Sequence, residues 1–329
     1  MSKEEEGVMN MAQTESGAKR PIALVLSGGG GRGAFECGAI ERLTELAGRS
    51  SSWWPPDILV GTSIGATNAA VWAVGGTDRV HDMWDSIRPR DMHCLLRLSP
   101  WHSILDRAAW KKTLERYAPE SELAKLTKKL YIVATDTNIG RTIIFTNDRK
   151  LDERSLLPQY KYLRYQRVPA ITHDHLLASS AIPYVYPKVE LPVKVQVKVN
   201  GSYRIETQKH KFWDGAVTYN SPLEPAIVAD AKRIWAVLLS PFHEQVTTPL
   251  PEPGRRLVAK ISYLLDLGIT ATFENDLYQM LGRDRECAVI APEMWLRLFD
   301  HVCYRPKRIK VLRPQGRKQA EDKWKKLPP

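Results

Sequence analysis

Gly28, Gly29, Gly30 and Gly31 follow the apolar run Ile22–Leu26 with only Ser27 between them, and that conjunction restricts the fold more than any other feature of the chain. A short run of apolar residues with no polar alternation reads as a parallel strand buried on both faces. Past the glycines, Phe35, Ala39, Ile40, Leu43 and Leu46 recur at helical spacing around Glu41, Arg42 and Glu45, and Gly48 supplies a stop. After the break at Pro55-Pro56 the pattern repeats. Residues 57–60 read as a second strand, residues 61–65 as a sharp turn, and residues 64–74 as an alanine-rich helix. Strand, turn and helix in this alternation predict an α/β fold: a three-layer αβα sandwich around a mainly parallel central sheet.

Further along, residues 77–129 read as largely helical around Trp84, Trp101 and Trp110. Two strand-like segments, 130–135 and 142–145, are joined through Asn138-Ile139-Gly140-Arg141 and predict a hairpin. The clearest alternation lies in residues 192–206. Val193, Val195, Val197 and Val199 alternate with Lys194, Gln196 and Lys198, and Asn200-Gly201 is a type I′ turn signal, so an added β-hairpin with one wet face is expected. Residues 234–239 read as another short strand, 241–256 as a proline-rich loop, 257–281 as helix and 308–312 as a last edge strand.

Three short stretches could carry chemistry. Gly61-Thr62-Ser63-Ile64-Gly65 has the G-x-S-x-G form between a strand and a helix. A nucleophilic serine needs that context, because the reversal forces it into strained dihedrals, and Gly61 and Gly65 relieve clash on either side. The helix that follows turns its positive end toward a developing anion. Gly28-Gly29-Gly30-Gly31-Arg32-Gly33 can aim backbone amides into one small space, as an oxyanion hole requires. A nucleotide-phosphate loop shares that geometry, but no Gly-Lys-Ser/Thr ending is present. The third stretch is Asp214-Gly215-Ala216. A serine needs a proton acceptor, and of the histidines at 81, 93, 102, 173, 175, 210, 243 and 301 only His243 follows a strand in the order of an α/β-hydrolase triad. Spacing leaves open a triad with His243 or a dyad with Asp214 alone.

Taken together, residues 27–35 (SGGGGRGAF), GTSIG at 61–65 and DGA at 214–216 resemble the patatin-like phospholipases in motif and order. Residues 178–183 (ASSAIP) with Pro187, and Asn220-Ser221-Pro222, are also similar to that family, and the likeness covers residues 21–226. The resemblance implies a serine acyl hydrolase of phospholipase A or lysophospholipase type. Ser63 would attack an ester carbonyl, Asp214 would take its proton and later activate water, and amides around Gly29, Gly30 and Gly31 would hold the oxyanion. A phospholipid or lysophospholipid substrate and no cofactor are then expected. Acyl transfer to an acceptor other than water is an alternative of the same fold, and a non-catalytic lipid- or nucleotide-binding module is another. The division expected is a disordered tail over 1–20, a catalytic domain over 21–240, a helical continuation over 241–314 and a basic tail over 315–329.

Charge bears on partners. The chain of 329 residues carries 48 Lys/Arg against 37 Asp/Glu, a net +11. Residues 304–329 hold ten of those cations against Glu321 and Asp322, a net +8, so the body is nearly neutral. Such a tail can meet an anionic membrane surface, with nucleic acid the lesser reading of the same electrostatics, or serve only for solubility. Trp53-Trp54 and Trp324 are candidates for a lipid interface or for the core. The stretch 58–77 is too interrupted by polar residues and glycines for a membrane span. Glu4-Glu5-Glu6 without an apolar run argues against a signal peptide. Cys37, Cys94, Cys287 and Cys303 lack C-x-x-C pairing, which favours a reducing cytoplasmic setting, peripheral to membrane at most. Cys37 reads as a packed side chain, and His173-Asp174-His175, weighed as a metal site, as structural.

Overall fold

The computed structural model describes residues 21–48, 51–92, 94–95, 105–151, 163–242, 285–297 and 304–327, with isolated positions at 252, 260 and 263. The expected tail over 1–20, most of the loop at 241–256, all but two positions of the helix over 257–281, and His243 lie outside the described residues.

The strands are β1 (Ile22–Leu26), β2 (Ile58–Thr62), β3 (Lys129–Asp136), β4 (Arg141–Thr146), β5 (Leu163–Arg167), β6 (Val189–Val199), β7 (Ser202–Asp214), β8 (Arg233–Val237) and β9 (Glu286–Ile290). Along the sheet they stand in the order β9-β8-β1-β2-β3-β4-β5. The pairings from β9 to β3 and that of β4 with β5 are parallel; β4 and β7 both pair antiparallel to β3. The expected mainly parallel sheet is what the chain forms. Side chains of β1 show why. Ile22, Leu24 and Leu26 enter one core and Ala23 and Val25 the other, so both faces are dry and helices must cover each. On the first face lie α1 (Gly33–Ala47), α2 (Ile64–Ser86), α3 (Ala108–Tyr117), α4 (His173–Ser179) and α6 (Pro306–Trp324); on the second, α5 (Glu224–Val228).

One register decides where chemistry can happen. β2 runs beside β3 until Thr62 pairs with Val133. At the next residue of β3, Ala134, the neighbour becomes Asp214 at the end of β7. The residue that leaves β2 and the last residue of β7 therefore meet on one edge of β3, although 151 positions separate Ser63 from Asp214 in sequence.

Several expectations are corrected. The alanine-rich helix expected over 64–74 is present; beyond Gly76, whose φ 68° and ψ −162° are not helical, a second helical stretch runs on to Ser86. Among the described residues of 77–129 the helix expected is broken up, with a two-residue ladder between Cys94–Leu95 and Leu105–Asp106. The hairpin over 192–206 is longer than its alternation, spanning β6 and β7, and turns at Asn200 and Gly201, both at positive φ. Residues 308–312 are not a strand: they lie in α6, and residues 315–324 of the basic tail continue that helix. Ile309, Leu312, Gly316 and Ala320 form its buried stripe. A Cβ on Gly316 would stand 1.9 Å from the Phe35 carbonyl, so small residues let α6 lie backbone to backbone on α1. Trp53 and Trp54 are buried in the core, and Trp324, partly buried, packs against it and stacks on Trp235 at 5.9 Å. Among the described residues no helix is long and apolar enough to cross a membrane.

Candidate active site

Ser63 is the last residue before α2 and sits at φ 55°, ψ −121°. A non-glycine residue there costs about 1–3 kcal/mol, which the surroundings must hold in place. They do so through the backbone. The Ser63 amide donates to Ser179 Oγ at 2.8 Å, and Ser179 Oγ donates to the Val133 carbonyl at 2.6 Å. Gly61 and Gly65 are required by closeness: a Cβ on Gly61 would lie 2.5 Å from the Ala66 amide, and one on Gly65 2.4 Å from the Leu26 carbonyl. A serine at a helix N-cap usually accepts from an amide of the first turn. Ser63 makes no such bond. Its hydroxyl donates instead to Asp214 Oδ2 at 2.7 Å.

Asp214 is fixed on every side. Oδ1 accepts from the Ala216 amide at 2.8 Å, its own amide donates to the Ala181 carbonyl at 2.8 Å, and its carbonyl accepts from Thr135 Oγ1 at 2.8 Å. Its side chain is 1% exposed. Burial pushes the carboxyl up to about 7; the Ala216 amide, the Ser63 hydroxyl and the Arg107 charge pull the other way without cancelling it. A carboxyl in that range is a usable base near neutrality, where an ordinary aspartate is too weak.

The glycine loop lies against this pair. A Cβ on Gly28 would be 3.2 Å from Ser63 Cβ, and Gly30 lines the same small cavity as Ser63. Within the predicted cradle the roles divide. The Gly28 amide donates to the Asn220 carbonyl, Arg32 to Gly29 and Gly33 to Gly30 and Gly31, so those three amides are used inside the loop, and the candidate anion donors narrow to Gly29, Gly30 and Gly31. Arg32 is buried, and its guanidinium donates to the Leu296 and Arg297 carbonyls at 3.2 Å each; it fastens the loop. Beneath it, buried Glu36, its carboxyl pushed well above the ordinary value by burial, accepts from Asn68 Nδ2 at 2.8 Å, and Trp84 Nε1 donates to Asn68 Oδ1 at 2.9 Å.

The cavity at Ser63 has a volume of about 20 Å³, room for roughly one water. Ile64, Met92, Trp110, Ile182, Tyr186 and Tyr304 make its lining predominantly apolar, and Thr67, a buried residue whose Oγ1 has no hydrogen-bond partner among the described residues, contributes to it. Arg107 reaches the cavity from the start of α3, donates to the Leu177 and Pro187 carbonyls, and stacks on Tyr186 at 5.7 Å. Nothing in the sequence around Arg107 marks it; Ser179 and Asn220, by contrast, fall in stretches whose likeness to the family was visible. Among the described residues no histidine bonds to Ser63 or Asp214. His173 and His175 serve structure: His173 Nε2 bonds the Ala118 carbonyl, and His175 Nδ1 accepts from the Thr172 amide. Burial pulls His175 down to about 4.

A parallel αβα sandwich with a strained serine and a buried carboxylate at one strand edge is the architecture of a hydrolytic α/β protein. The sequence profile described as patatin-like phospholipase matches residues 24–227, more than half of the chain. This chain belongs to that family, one of lipid acyl hydrolases. None of the curated proteins matches it. The crystal structure of VipD from Legionella pneumophila is a distant likeness, with a TM-score of 0.48 at 12% identity over 94% of this chain and 67% of that one.

Proposed function

We propose that the protein is a serine acyl hydrolase that cleaves fatty-acyl esters of phospholipids or lysophospholipids through an acyl-enzyme on Ser63, with Asp214 as its only proton acceptor. The observation that carries the reading is the 2.7 Å bond from Ser63 Oγ to a carboxylate held near neutrality by burial. As Ser63 Oγ attacks the ester carbonyl, its proton passes to Asp214 Oδ2. The carbonyl oxygen becomes an oxyanion facing the amides of Gly29, Gly30 and Gly31, beside the positive end of α2. Collapse expels the lysolipid or glycerol oxygen, which leaves with the proton from Asp214. A water entering that place then gives its proton to Asp214 while attacking the acyl carbonyl, and the fatty acid departs as Ser63 recovers its hydrogen. The apolar lining suits an acyl chain, which requires the present cavity to widen.

The test is release of fatty acid from phospholipid vesicles together with labelling by a fluorophosphonate, which reacts only with an activated serine. Wild type is expected to do both, and Ser63→Ala neither. Hydrolysis that survives in Ser63→Ala would refute the proposal. Activity of His243→Ala close to wild type is expected of a dyad; its loss would replace the dyad with a triad.

A further inference from the structure

Only the last residues of β7, paired with β3, build the dyad; the rest of the β6–β7 hairpin is not needed for it, yet its second strand runs straight into Asp214. Cross-strand register sorts its side chains. Val189, Leu191, Val193, Phe212 and His210 share the inner face, where Leu191, Val193, Phe212 and His210 are buried and His210 Nδ1 bonds Asp136 Oδ2 at 2.5 Å. The hairpin is thus anchored at its base. The outer face carries Lys194, Lys198, Lys209 and Lys211 together with Tyr203 and Ile205. Tyr203 is 65% and Ile205 72% exposed. Lys209 pairs with Glu190, while Lys194, Lys198 and Lys211 have no acidic partner among the described residues.

This face continues toward the site. Trp213, next to Asp214 and on the lysine side of β7, is covered by Lys188 Nζ at 4.4 Å and by Tyr184 at 5.7 Å. Tyr184 is 65% exposed, whereas Ile182 and Tyr186, two residues to either side, line the cavity at Ser63. One turn therefore shows an aromatic ring to solvent and walls the reaction space with its neighbours. Lysines interleaved with Tyr, Trp and Ile fit a lipid–water interface, where ammonium groups meet anionic headgroups and amphipathic rings sit at headgroup depth. The basic α6 is a poorer candidate. Its Arg313 pairs with Glu41 and Asp85, Arg317 with Glu41 and Glu45 and Lys318 with Glu293, and Lys325, just past its end, pairs with Glu321.

We propose that the outer face of the β6–β7 hairpin, with Trp213 and Tyr184, docks the protein on an anionic lipid surface and sets the wall of the Ser63 cavity against the bilayer. The consequence for turnover rests on the lipid-hydrolase reading; the docking does not, so the two fail separately.

Sedimentation of the full chain carrying Ser63→Ala with vesicles of equal parts phosphatidylcholine and phosphatidylserine tests it without lipid being consumed. At low salt this chain is expected to bind these vesicles and to bind pure phosphatidylcholine far more weakly. A lysine close to an anionic leaflet contributes about fivefold, so Lys194→Gln, Lys198→Gln, Lys209→Gln and Lys211→Gln together are expected to cut partitioning by at least about tenfold. Near-UV circular dichroism confirms that the variant keeps its fold. Tyr203→Ser with Ile205→Ser gives a second reading, a loss that persists in high salt where the lysines are screened. Unchanged partitioning in both variants would overturn the proposal. So would a loss produced only by Lys323→Gln, Lys325→Gln and Lys326→Gln. Equally tight, lysine-dependent binding to a DNA duplex would overturn it too, giving the face to nucleic acid.

Discussion

The turn after β1 and the turn after β2 both pass a parallel strand to a helix at the same end of the sheet, but they place different groups at the cavity. The first gives up side chains: Gly28 to Gly31 bring bare backbone close, and Gly30 takes φ 58°. The second keeps one side chain in a conformation that serines rarely adopt, with Ser63 at φ 55°. Amides that need no proton can be held by a loop fastened through Arg32. A hydroxyl that must surrender a proton needs a partner from elsewhere in the chain, and β3 supplies that partner by bringing Asp214 alongside. On the proposed reading, what separates the turns is that one contributes fixed dipoles and the other a reacting atom.

Substitutions should expose that difference, beginning with the reacting pair. Ser63→Ala and Asp214→Asn are each expected to lower kcat by at least about 10³-fold, and the double variant by little more than either, because groups that act as one unit lose their effect together. Steady-state hydrolysis of a nitrophenyl ester measures this; additive losses would separate the two residues. Gly30→Ala comes next. An alanine resists the left-handed conformation, so amides swing off the developing oxyanion, and a fall of about 10²-fold in kcat with little change in KM is expected. A change confined to KM would move the loop from the transition state to substrate binding. Ser179→Ala is expected to cost about tenfold in kcat and to lower Tm, since the buried Ser63 amide then lacks its acceptor, a loss of about 1–3 kcal/mol.

The last effect is on stability rather than on turnover. The Asp214 carboxyl, raised to about 7, keeps its proton in the folded chain through a range where the unfolded chain has lost it. The folded state binds the extra proton between about pH 4 and about pH 7, so wild type loses stability as pH rises through that window. Asp214→Asn cannot titrate. Its Tm relative to wild type is therefore expected to climb from about pH 4 to about pH 8, by the equivalent of a few kcal/mol at most. A flat difference would mean that the carboxyl is not held above its ordinary value.

The two turns were legible because turn chemistry is local. Four glycines after a buried strand, or Gly61 and Gly65 around a serine, impose their geometry within a few residues. The meeting of Ser63 with Asp214 is not local. It depends on Thr62 and Asp214 pairing with consecutive residues of β3, and only the motif order resembling a known family pointed to it. Helix α6 was hidden for another reason. Two of the four residues in its buried stripe are Gly316 and Ala320, which carry almost no hydropathy signal among seven cations and Pro314. Strand β5 (Leu163–Arg167) shows no apolar run, so its place at the sheet edge followed from pairing with β4 alone. Arg107 is positioned by the Leu177 and Pro187 carbonyls, remote partners that no local pattern reveals.

Whether Asp214 alone serves Ser63 is decided most directly by the pH dependence of fluorophosphonate labelling, followed by active-site titration in wild type, His243→Ala and Asp214→Asn. The expected result is a rate that rises with a midpoint near the raised carboxyl value of about 7, unchanged by His243→Ala and lost in Asp214→Asn. Labelling of Asp214→Asn at the wild-type rate, or its disappearance in His243→Ala, would contradict the proposed dyad.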